Sequence, residues 1–370
     1  MVKEGLCCIF NYAPHYRMAV YRLMNRRLGA VFFFGDRLRS GENIRKLDYS
    51  LLPGFRKELK TRFFGPVEYM GGWMRAAFDK NNKVFIITNS YYAVNQWLFL
   101  FVCKLLGKPV YVWTHGMRSS VPSENGSRLT LFLARVYRRF VSGFFLYGDR
   151  AKENMTAMGY DREKLHVIYN SLDYEAALRL RESIPENPWK TVFGNDLPVL
   201  VFIGRLTEVK KLDMLLEASG ILSARGLDVN VAFIGDGPEK ERLTGLASGV
   251  HNVAFLGAMY DEELIYKHLY HSTLCVSPGN VGLTAIHCLS YGLPVVTHSD
   301  FNSQVPECEA IVPGVTGELF RKGDVADLAD KIESLLKSGI SRETFRMNCH
   351  KVVDERYNPE YQVDVMEKVI

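Results

Sequence analysis

The sequence lacks the cysteine spacing that would indicate a disulfide or zinc framework. It has seven cysteines in 370 residues, and none of them forms a CxxC or zinc-ligand pattern. Cys7 and Cys8 lie inside the first apolar run, where reduced, buried thiols are expected. No apolar run reaches the roughly 18 residues that a membrane-spanning helix needs. We therefore expect a globular protein that stays in the cytoplasm.

Several catalytic and nucleotide-binding motifs are also absent. There is no P-loop (GxxxxGK[ST]), no nucleophile elbow (GxSxG) and no paired-carboxylate hydrolase motif. Gly235-Asp236-Gly237 is only a GxG and does not make a dinucleotide fingerprint. The nucleic-acid-binding motifs are missing as well. Any nucleotide site must therefore be built in another way.

Charge is distributed unevenly along the chain. Residues 1–150 carry 24 Lys and Arg against 9 Asp and Glu, whereas residues 151–370 carry 22 against 32. The first part has a net charge of +15, and its cations alternate with aromatics, as in Tyr16-Arg17 and in residues 135–140. Such a surface suits an anionic membrane leaflet or an anionic acceptor. Nucleic acid and a solvated basic face are the alternatives; without a nucleic-acid motif, we expect no nucleic-acid partner.

Strand-like and helix-like segments alternate along the chain. Buried-strand patterns occur at 5–12, 30–35, 83–88, 109–114, 143–147, 165–169, 197–203, 229–234, 253–256, 273–276 and 294–298. Helical patterns occur at 17–27, 93–106, 128–139, 150–158, 212–223, 239–248, 261–268, 283–291, 324–338 and 358–370. This alternation predicts parallel sheets covered by helices on both faces.

The segment 185–196 interrupts the alternation with prolines, a glycine and polar residues, which are typical of a linker. We therefore predict a first doubly wound domain over 1–184 and a second over 197–357. The C-terminal helix, 358–370, would be able to pack back toward the first domain. Two such domains would leave a cleft between the carboxyl ends of their strands, where these folds bind ligands.

The most informative segment is 199–217. Its apolar run ends at Gly204-Arg205, and a short polar turn leads to Lys210 at the start of a helical pattern. A helix N-terminus beside two fixed cations suits a diphosphate, because N–H groups and positive charges converge there. The alternative is an ordinary loop with solvated basic residues.

A second glycine-rich turn begins after the strand at 273–276. It runs Ser277-Pro-Gly-Asn-Val-Gly-Leu283, and Gly282 would let backbone approach a ligand at the start of the next helix. Alone this turn is a weak signal, but it lies in the same domain as Gly204, Arg205 and Lys210. Together the two segments favour a nucleotide ligand.

These motifs resemble those of the retaining glycosyltransferases of family 4, which have the GT-B fold. The segments that carry the resemblance are Val199–Glu217, Phe233–Glu239, Ser277–Val296, Tyr169–Asp173 and Trp113–Gly116. The second half matches along nearly its whole length, and the first half matches mainly in element order. The resemblance implies two Rossmann-like, doubly wound domains facing each other across a cleft.

The resemblance also assigns roles to individual residues. Arg205 and Lys210 match the pair that neutralises the departing diphosphate, and His115 matches the histidine that reaches the donor sugar. The donor-binding positions are Gly204, Asn280, Val281, Gly282, Leu283 and His287. For His115 and His287, ordinary structural roles are the alternatives.

The chain departs from the family pattern at two acidic positions. Where the family usually has two glutamates eight positions apart, this chain has Gly279 and His287. His287 can still exchange a hydrogen bond with a ribose hydroxyl, but Gly279 cannot replace a carboxylate. The donor sugar would then be held by Asn280, Glu307 or Glu309.

The chain also has no Asp-x-Asp, the pair that glycosyltransferases of the other major fold use to hold a metal on the diphosphate. We therefore expect a metal-independent glycosyltransferase that uses a nucleotide diphosphate sugar and no further cofactor. The expected acceptor is anionic, a lipid-linked saccharide of surface polysaccharide biosynthesis at the inner face of the membrane. A catalytically silent relative and a nucleotide-sugar 2-epimerase are the alternatives.

Overall fold

The chain forms two compact units in a computed structural model that describes residues 5–39, 44–116, 128–249 and 252–370. Unit 1 contains residues 1–173 together with 358–370, and unit 2 contains residues 174–357. Each unit is built around its own parallel sheet.

Unit 1 is organised around a seven-stranded parallel sheet and also contains a separate two-stranded hairpin. Its strands are β1 (Leu6–Phe10), β2 (Val31–Gly35), β3 (Phe55–Leu59), β4 (Thr61–Phe64), β5 (Val67–Met70), β6 (Val84–Thr88), β7 (Val110–Thr114), β8 (Gly143–Leu146) and β9 (Leu165–Val167). The parallel sheet has the order β3-β2-β1-β6-β7-β8-β9, while β4 and β5 form an antiparallel hairpin. All five residues of β1 are buried, because helices cover both faces of a parallel sheet.

The helices of unit 1 follow the strands closely in sequence. They are α1 (Met18–Leu28), α2 (Trp73–Phe78), α3 (Val94–Leu105), α4 (Arg128–Tyr137) and α5 (Asp149–Ala157). A helix between two strands carries the chain back to the end of the sheet where the first strand began. The next strand can therefore run parallel to the first.

Unit 2 repeats this plan. Its strands are β10 (Val199–Ile203), β11 (Asn230–Ile234), β12 (Val253–Gly257), β13 (Leu274–Ser277), β14 (Val295–His298) and β15 (Gly317–Phe320), paired in parallel in the order β12-β11-β10-β13-β14-β15. Its helices are α6 (Tyr174–Arg181), α7 (Trp189–Phe193), α8 (Asp213–Ala224), α9 (Lys240–Leu246), α10 (Glu262–His271), α11 (Leu283–Ser290), α12 (Val325–Leu336) and α13 (Arg342–Glu355). The prediction of two Rossmann-like, doubly wound domains is confirmed.

The chain changes from unit 1 to unit 2 earlier than the sequence indicates. The unit boundary falls after Asp173 rather than at residue 184, and the segment expected to be a linker contains α7. The Trp189 indole is buried, packs at 4.8 Å from the His268 ring and donates a hydrogen bond to its carbonyl oxygen at 3.1 Å. Residues 185–196 are thus packed into unit 2.

The last helix, α14 (Pro359–Val369), belongs to unit 1. It packs on α1, where Arg27 forms ion pairs with Glu360, Asp364 and Glu367. The C-terminal segment therefore completes the first unit although it follows the second in sequence.

All seven cysteines are free and buried, which confirms the expectation of reduced thiols. Across the described ranges, no helix is both long and apolar enough to cross a membrane.

Candidate functional site

The loops that follow β10 and β11 pack closely against each other because both contain glycines. The N–H of Gly204, which follows β10, donates to the oxygen of Ile234 at 2.9 Å. A Cβ on Gly235 would lie only 1.8 Å from the oxygen of Gly204, and one on Gly237 would lie 2.2 Å from that of Leu206. Only glycine allows the two loops to approach so closely, and this contact fixes the position of the chain just before Arg205.

The turn after Arg205 is a short 3-10 segment, Glu208–Lys210, and it ends at Lys211. Lys211 has a left-handed backbone conformation, with φ +50°. Such a conformation costs a residue with a Cβ about 1–2 kcal/mol, so the turn carries backbone strain at this residue. The Lys211 side chain is half exposed and lies 3.5 Å from Glu208.

Lys210 points in a different direction from Lys211. Its ammonium donates hydrogen bonds to the main-chain oxygen of Asn280 at 2.6 Å and to the Asn280 side-chain oxygen at 3.0 Å. Burial lowers the pKa of Lys210 to about 8, although Cys275 and Glu307 act in the opposite direction. Both oxygens that accept from it are uncharged, and in the described part of the chain no carboxylate forms an ion pair with it.

Arg205 is exposed at the end of β10. Its guanidinium forms no hydrogen bond or ion pair within the part of the chain that the structure describes. A guanidinium with its donors unoccupied can bind two oxygens of a phosphate at once.

The glycine-rich loop is held from two sides. The N–H of Gly279 donates to the oxygen of Lys210 at 2.8 Å, and the N–H of Val281 donates to the side-chain oxygen of Gln304 at 2.9 Å. Gln304 is buried and also donates to the Thr297 hydroxyl at 2.9 Å. The Val281 N–H, which is expected to contact the ligand, thus has Gln304 as its acceptor in this structure. No sequence signal pointed to Gln304.

The N–H groups that remain available lie at the start of α11. Gly282 precedes the helix with a positive φ of +59°, which glycine adopts more readily than other residues. The first-turn N–H groups of Leu283 and Thr284 have no intrahelical acceptor. The Thr284 hydroxyl donates to the oxygen of Ile203 at 3.1 Å, which joins the start of α11 to the end of β10.

Gly279 occupies a position that no other residue can occupy without a shift of backbone. A Cβ there would lie 1.9 Å from the oxygen of Val209 and 2.7 Å from the Cα of Lys210. The 208–210 turn therefore fills the space next to the position where the related family usually has a glutamate. The turn can take this position only because residue 279 has no side chain, so the glutamate and this path of the turn exclude each other.

His287, the second departure, is paired with a carboxylate that sequence reasoning missed. Its Nε2 lies 2.7 Å from an oxygen of Glu262 on α10, and the Tyr291 hydroxyl donates to the same oxygen at 2.9 Å. Burial acts to raise the pKa of Glu262, but the hydrogen bonds from His287 and Tyr291 outweigh it and lower that pKa. A carboxylate is thus present beside His287, supplied by the neighbouring helix.

Three further residues were expected as candidates for holding the donor sugar: Asn280, Glu307 and Glu309. In the structure each of them is either already hydrogen-bonded or at least partly buried. The Asn280 side-chain oxygen accepts from Lys210, and Glu307 is 3% exposed inside the 3-10 turn Pro306–Ala310. Glu309 is half-buried in the same turn.

His115 lies in unit 1, one residue after β7. Its ring centre is 4.7 Å from that of Tyr147, which follows β8. Two adjacent strands thus bring these side chains together at the carboxyl edge of the unit 1 sheet.

Comparison with known proteins finds a family model that resembles most of unit 2. Residues 197–338 match the family model described as glycosyl transferases group 1. The chain is 31% identical to the sulfoquinovosyl transferase SQD2 of Arabidopsis thaliana over 190 residues, which cover 50% of this chain and 33% of that protein. It is 25% identical to the alpha-D-kanosaminyltransferase of Streptomyces kanamyceticus over 277 residues, or 69% of this chain and 68% of that one.

A third relative is the capsular polysaccharide biosynthesis glycosyltransferase CapM of Staphylococcus aureus, 22% identical over 59% of this chain and 56% of that protein. The chain thus spans between a third and two thirds of the length of these relatives. Among solved structures, Anabaena Alr3699/HepE in complex with UDP covers 99% of both chains with a TM-score of 0.71 and 15% identity. At that identity the likeness shows the fold alone.

Proposed function

Since residues 197–338 match the family model described as glycosyl transferases group 1 and the chain has the GT-B fold, we propose that the protein is a retaining glycosyltransferase. It moves a sugar from a nucleotide diphosphate sugar to an acceptor hydroxyl. The solved complexes of HepE with UDP and with UDP-glucose support a donor of this class.

The observation that carries the proposal is the bond between Lys210 and Asn280. It brings the cation of one strand-end loop onto the glycine-rich loop that leads into α11. The Thr284–Ile203 hydrogen bond holds the start of α11 against the end of β10, next to Arg205. Two cations and the first-turn N–H groups of α11 thus gather at one edge of the sheet, an arrangement suited to a diphosphate.

In the proposed reaction, the bond between C1 of the donor sugar and the phosphate oxygen breaks. A new bond from C1 to the acceptor oxygen forms on the same face of the sugar. The acceptor proton passes to the departing phosphate oxygen, so no protein base and no metal ion are required. Arg205 and Lys210 stabilise the negative charge that develops on the nucleoside diphosphate, and His115 stays a proposed contact to the donor sugar.

We further propose a lipid-linked, anionic saccharide as acceptor, in surface polysaccharide biosynthesis. The excess of cations over residues 1–150 supports an anionic acceptor. The likeness to CapM, named for capsular polysaccharide biosynthesis, supports the class of pathway.

A surface of unit 1 supports peripheral attachment to the inner face of a membrane. Four exposed apolar side chains follow one face of α3: Val94, Leu98, Phe101 and Leu105. Leu129 and Phe132 are exposed on α4, which is joined to α3 by the bond between the Tyr137 hydroxyl and Gln96. Exposed Lys104, Arg135 and Arg139 accompany them. We call these nine residues the α3–α4 surface; apolar anchors beside cations suit anionic lipid.

The proposal is tested by removing the two cations separately. A thermal-shift panel of UDP-, GDP-, ADP- and CMP-sugars first identifies the donor. Arg205→Ala and Lys210→Ala are each expected to reduce transfer from that donor at least a hundredfold while the protein stays folded. Lys190→Ala, which removes an exposed cation of α7, is the matched control and should retain full activity.

Product analysis by NMR then examines the anomeric configuration, which should be retained. Full activity in Arg205→Ala or Lys210→Ala would contradict the diphosphate assignment. A folded protein that binds a donor without ever transferring its sugar would be a silent relative, and a donor altered at C2 would indicate an epimerase.

A further inference from the structure

Arg17 of unit 1 is a cation enclosed by aromatic rings. It lies in the 3-10 turn His15–Arg17 that joins β1 to α1. Its guanidinium carbon lies 5.2 Å from the centre of the Trp113 ring and 5.5 Å from that of Tyr147. Its Nη2 donates to the Tyr147 hydroxyl, which fixes the direction of the side chain.

No carboxylate of the described chain neutralises this guanidinium. Its Nε is buried without a well-formed hydrogen bond, Nη1 forms no hydrogen bond of normal geometry with a described residue, and the buried Tyr21 hydroxyl is the neighbouring polar group that acts on the guanidinium. Desolvating a cation costs several kcal/mol, whereas a cation–π contact returns about 0.5–2 kcal/mol. The surrounding tyrosine and tryptophan side chains position Arg17 but carry no negative charge at neutral pH, so an anion from outside the chain would complete the site.

Arg17 also lies at the edge of the sheet where folds of this type bind ligands. It follows β1, while Trp113 and Tyr147 lie at the ends of β7 and β8. The carboxyl ends of these parallel strands share one edge. Tyr147 contacts both the Arg17 guanidinium and the His115 ring, which is 4.7 Å away.

We propose that Arg17 is an anion-binding residue of unit 1 that takes a phosphate group of a substrate. Trp113 and Tyr147 hold its guanidinium in place, and His115 lies at the border of the site. The site does not depend on Arg205 or Lys210, which belong to unit 2. The phosphate can come from the acceptor or from the donor; that part of the inference depends on the proposed function, but phosphate binding itself does not.

The first experiment uses inorganic pyrophosphate as the probe and needs no transfer activity. The double variant Arg205→Ala/Lys210→Ala removes the site of unit 2, and calorimetry then measures the remaining affinity. Adding Arg17→Met, which keeps an extended apolar side chain, should weaken that affinity at least tenfold. Adding Arg17→Lys keeps the charge and should preserve most of it.

Arg22→Gln is the matched control, because Arg22 is an exposed cation of α1. It should leave pyrophosphate affinity unchanged. Equal affinity in the double variant with and without Arg17→Met would overturn the proposal, and a lowered melting temperature with unchanged affinity would make Arg17 a purely structural cation. Near-ultraviolet circular dichroism shows whether each variant has kept its tertiary packing.

The second experiment identifies the source of the phosphate once a donor and an acceptor are known. In the otherwise unaltered protein, Arg17→Met should raise the KM for a phosphate-bearing acceptor at least tenfold if the acceptor supplies the group. It should raise the KM for the donor instead if the donor supplies it. No change in either KM would contradict a role in substrate binding, even if transfer itself is confirmed.

Discussion

The carbonyl oxygen of Val209 lies so close to Gly279 that a Cβ on Gly279 would be only 1.9 Å from this oxygen. The same two segments are joined by the hydrogen bond from the Gly279 N–H to the Lys210 oxygen, at 2.8 Å. The turn that positions Lys210 therefore depends on the absence of a side chain at residue 279. A chain with a glutamate there would need a different path for this turn.

Gly279→Ala is accordingly expected to destabilise the protein, because the added carbon meets backbone that cannot move independently. We expect a loss of about 1–3 kcal/mol in the free energy of unfolding, as for other overpacked sites. Urea denaturation measures it. Gly245→Ala is the control, since a Cβ there meets nothing within 4 Å and alanine favours a helix by up to about 1 kcal/mol. Equal stability of the two variants would contradict this reading of the turn.

Nucleotide binding should weaken as the pH rises through about 8. Burial lowers the pKa of Lys210 to about 8, so its ammonium is charged below that pH and loses its proton above it. The dissociation constant for UDP, or for the diphosphate of the donor that responds, should rise by up to tenfold per pH unit above that point. Calorimetry between about pH 6.5 and 9.5 would show it.

Lys210→Arg is the control for this pH dependence, because a guanidinium keeps its proton over the whole range. Its affinity should change little with pH. If the profile of the variant ran parallel to that of the native protein, Lys210 would not be the titrating group.

His287 should contribute to binding of the ribose. The bond between its Nε2 and Glu262 leaves Nδ1 as the nitrogen that can accept from a ribose hydroxyl. We expect His287→Ala to weaken UDP binding about tenfold, as for loss of one hydrogen bond. It should leave the binding of 2′,3′-dideoxy-UDP nearly unchanged. An equal loss for both nucleotides would mean that His287 acts on the fold of the site and not on the ribose.

The α3–α4 surface should bind anionic lipid. Replacing Leu98 and Phe101 together by glutamate removes two apolar anchors, each worth about 1–2 kcal/mol when buried. Co-sedimentation with phosphatidylglycerol-containing liposomes at low salt should fall at least tenfold. The same double change at Leu246 and Met347, exposed apolar residues of unit 2, is the control and should retain binding. Absence of liposome binding by the unaltered protein would contradict peripheral attachment.

The elements missed by sequence reasoning share a physical cause. β3 reads Phe-Arg-Lys-Glu-Leu, and it pairs on one side only, at the edge of the sheet. Its charged side chains are tolerated there but hide the apolar pattern that indicates a strand. The sequence predicts a linker at the short helix α7 because Pro188 precedes it, whereas Trp189 anchors this helix in unit 2.

The residues of the candidate site were found from the sequence where the signal was local. Gly204, Arg205 and Lys210 lie within seven positions of one another, at the end of an apolar run. Their partners Gln304 and Glu262 gave no such signal, since they reach the site from other elements. In the sequence, Arg17 is one of many cations next to aromatic residues, and no pattern distinguishes it from the others.

The two parallel sheets, the order of most of their elements and the two strand-end loops that carry the cations could all be predicted from the sequence. This is possible because apolar periodicity and glycine placement act over a few neighbouring residues. Three contacts become visible only in the folded chain: Gln304 accepts from the Val281 N–H, Glu262 pairs with His287, and the Val209 oxygen leaves no room for a side chain at Gly279. Each of these contacts joins segments more than 20 residues apart, so only the packing of the elements brings them together.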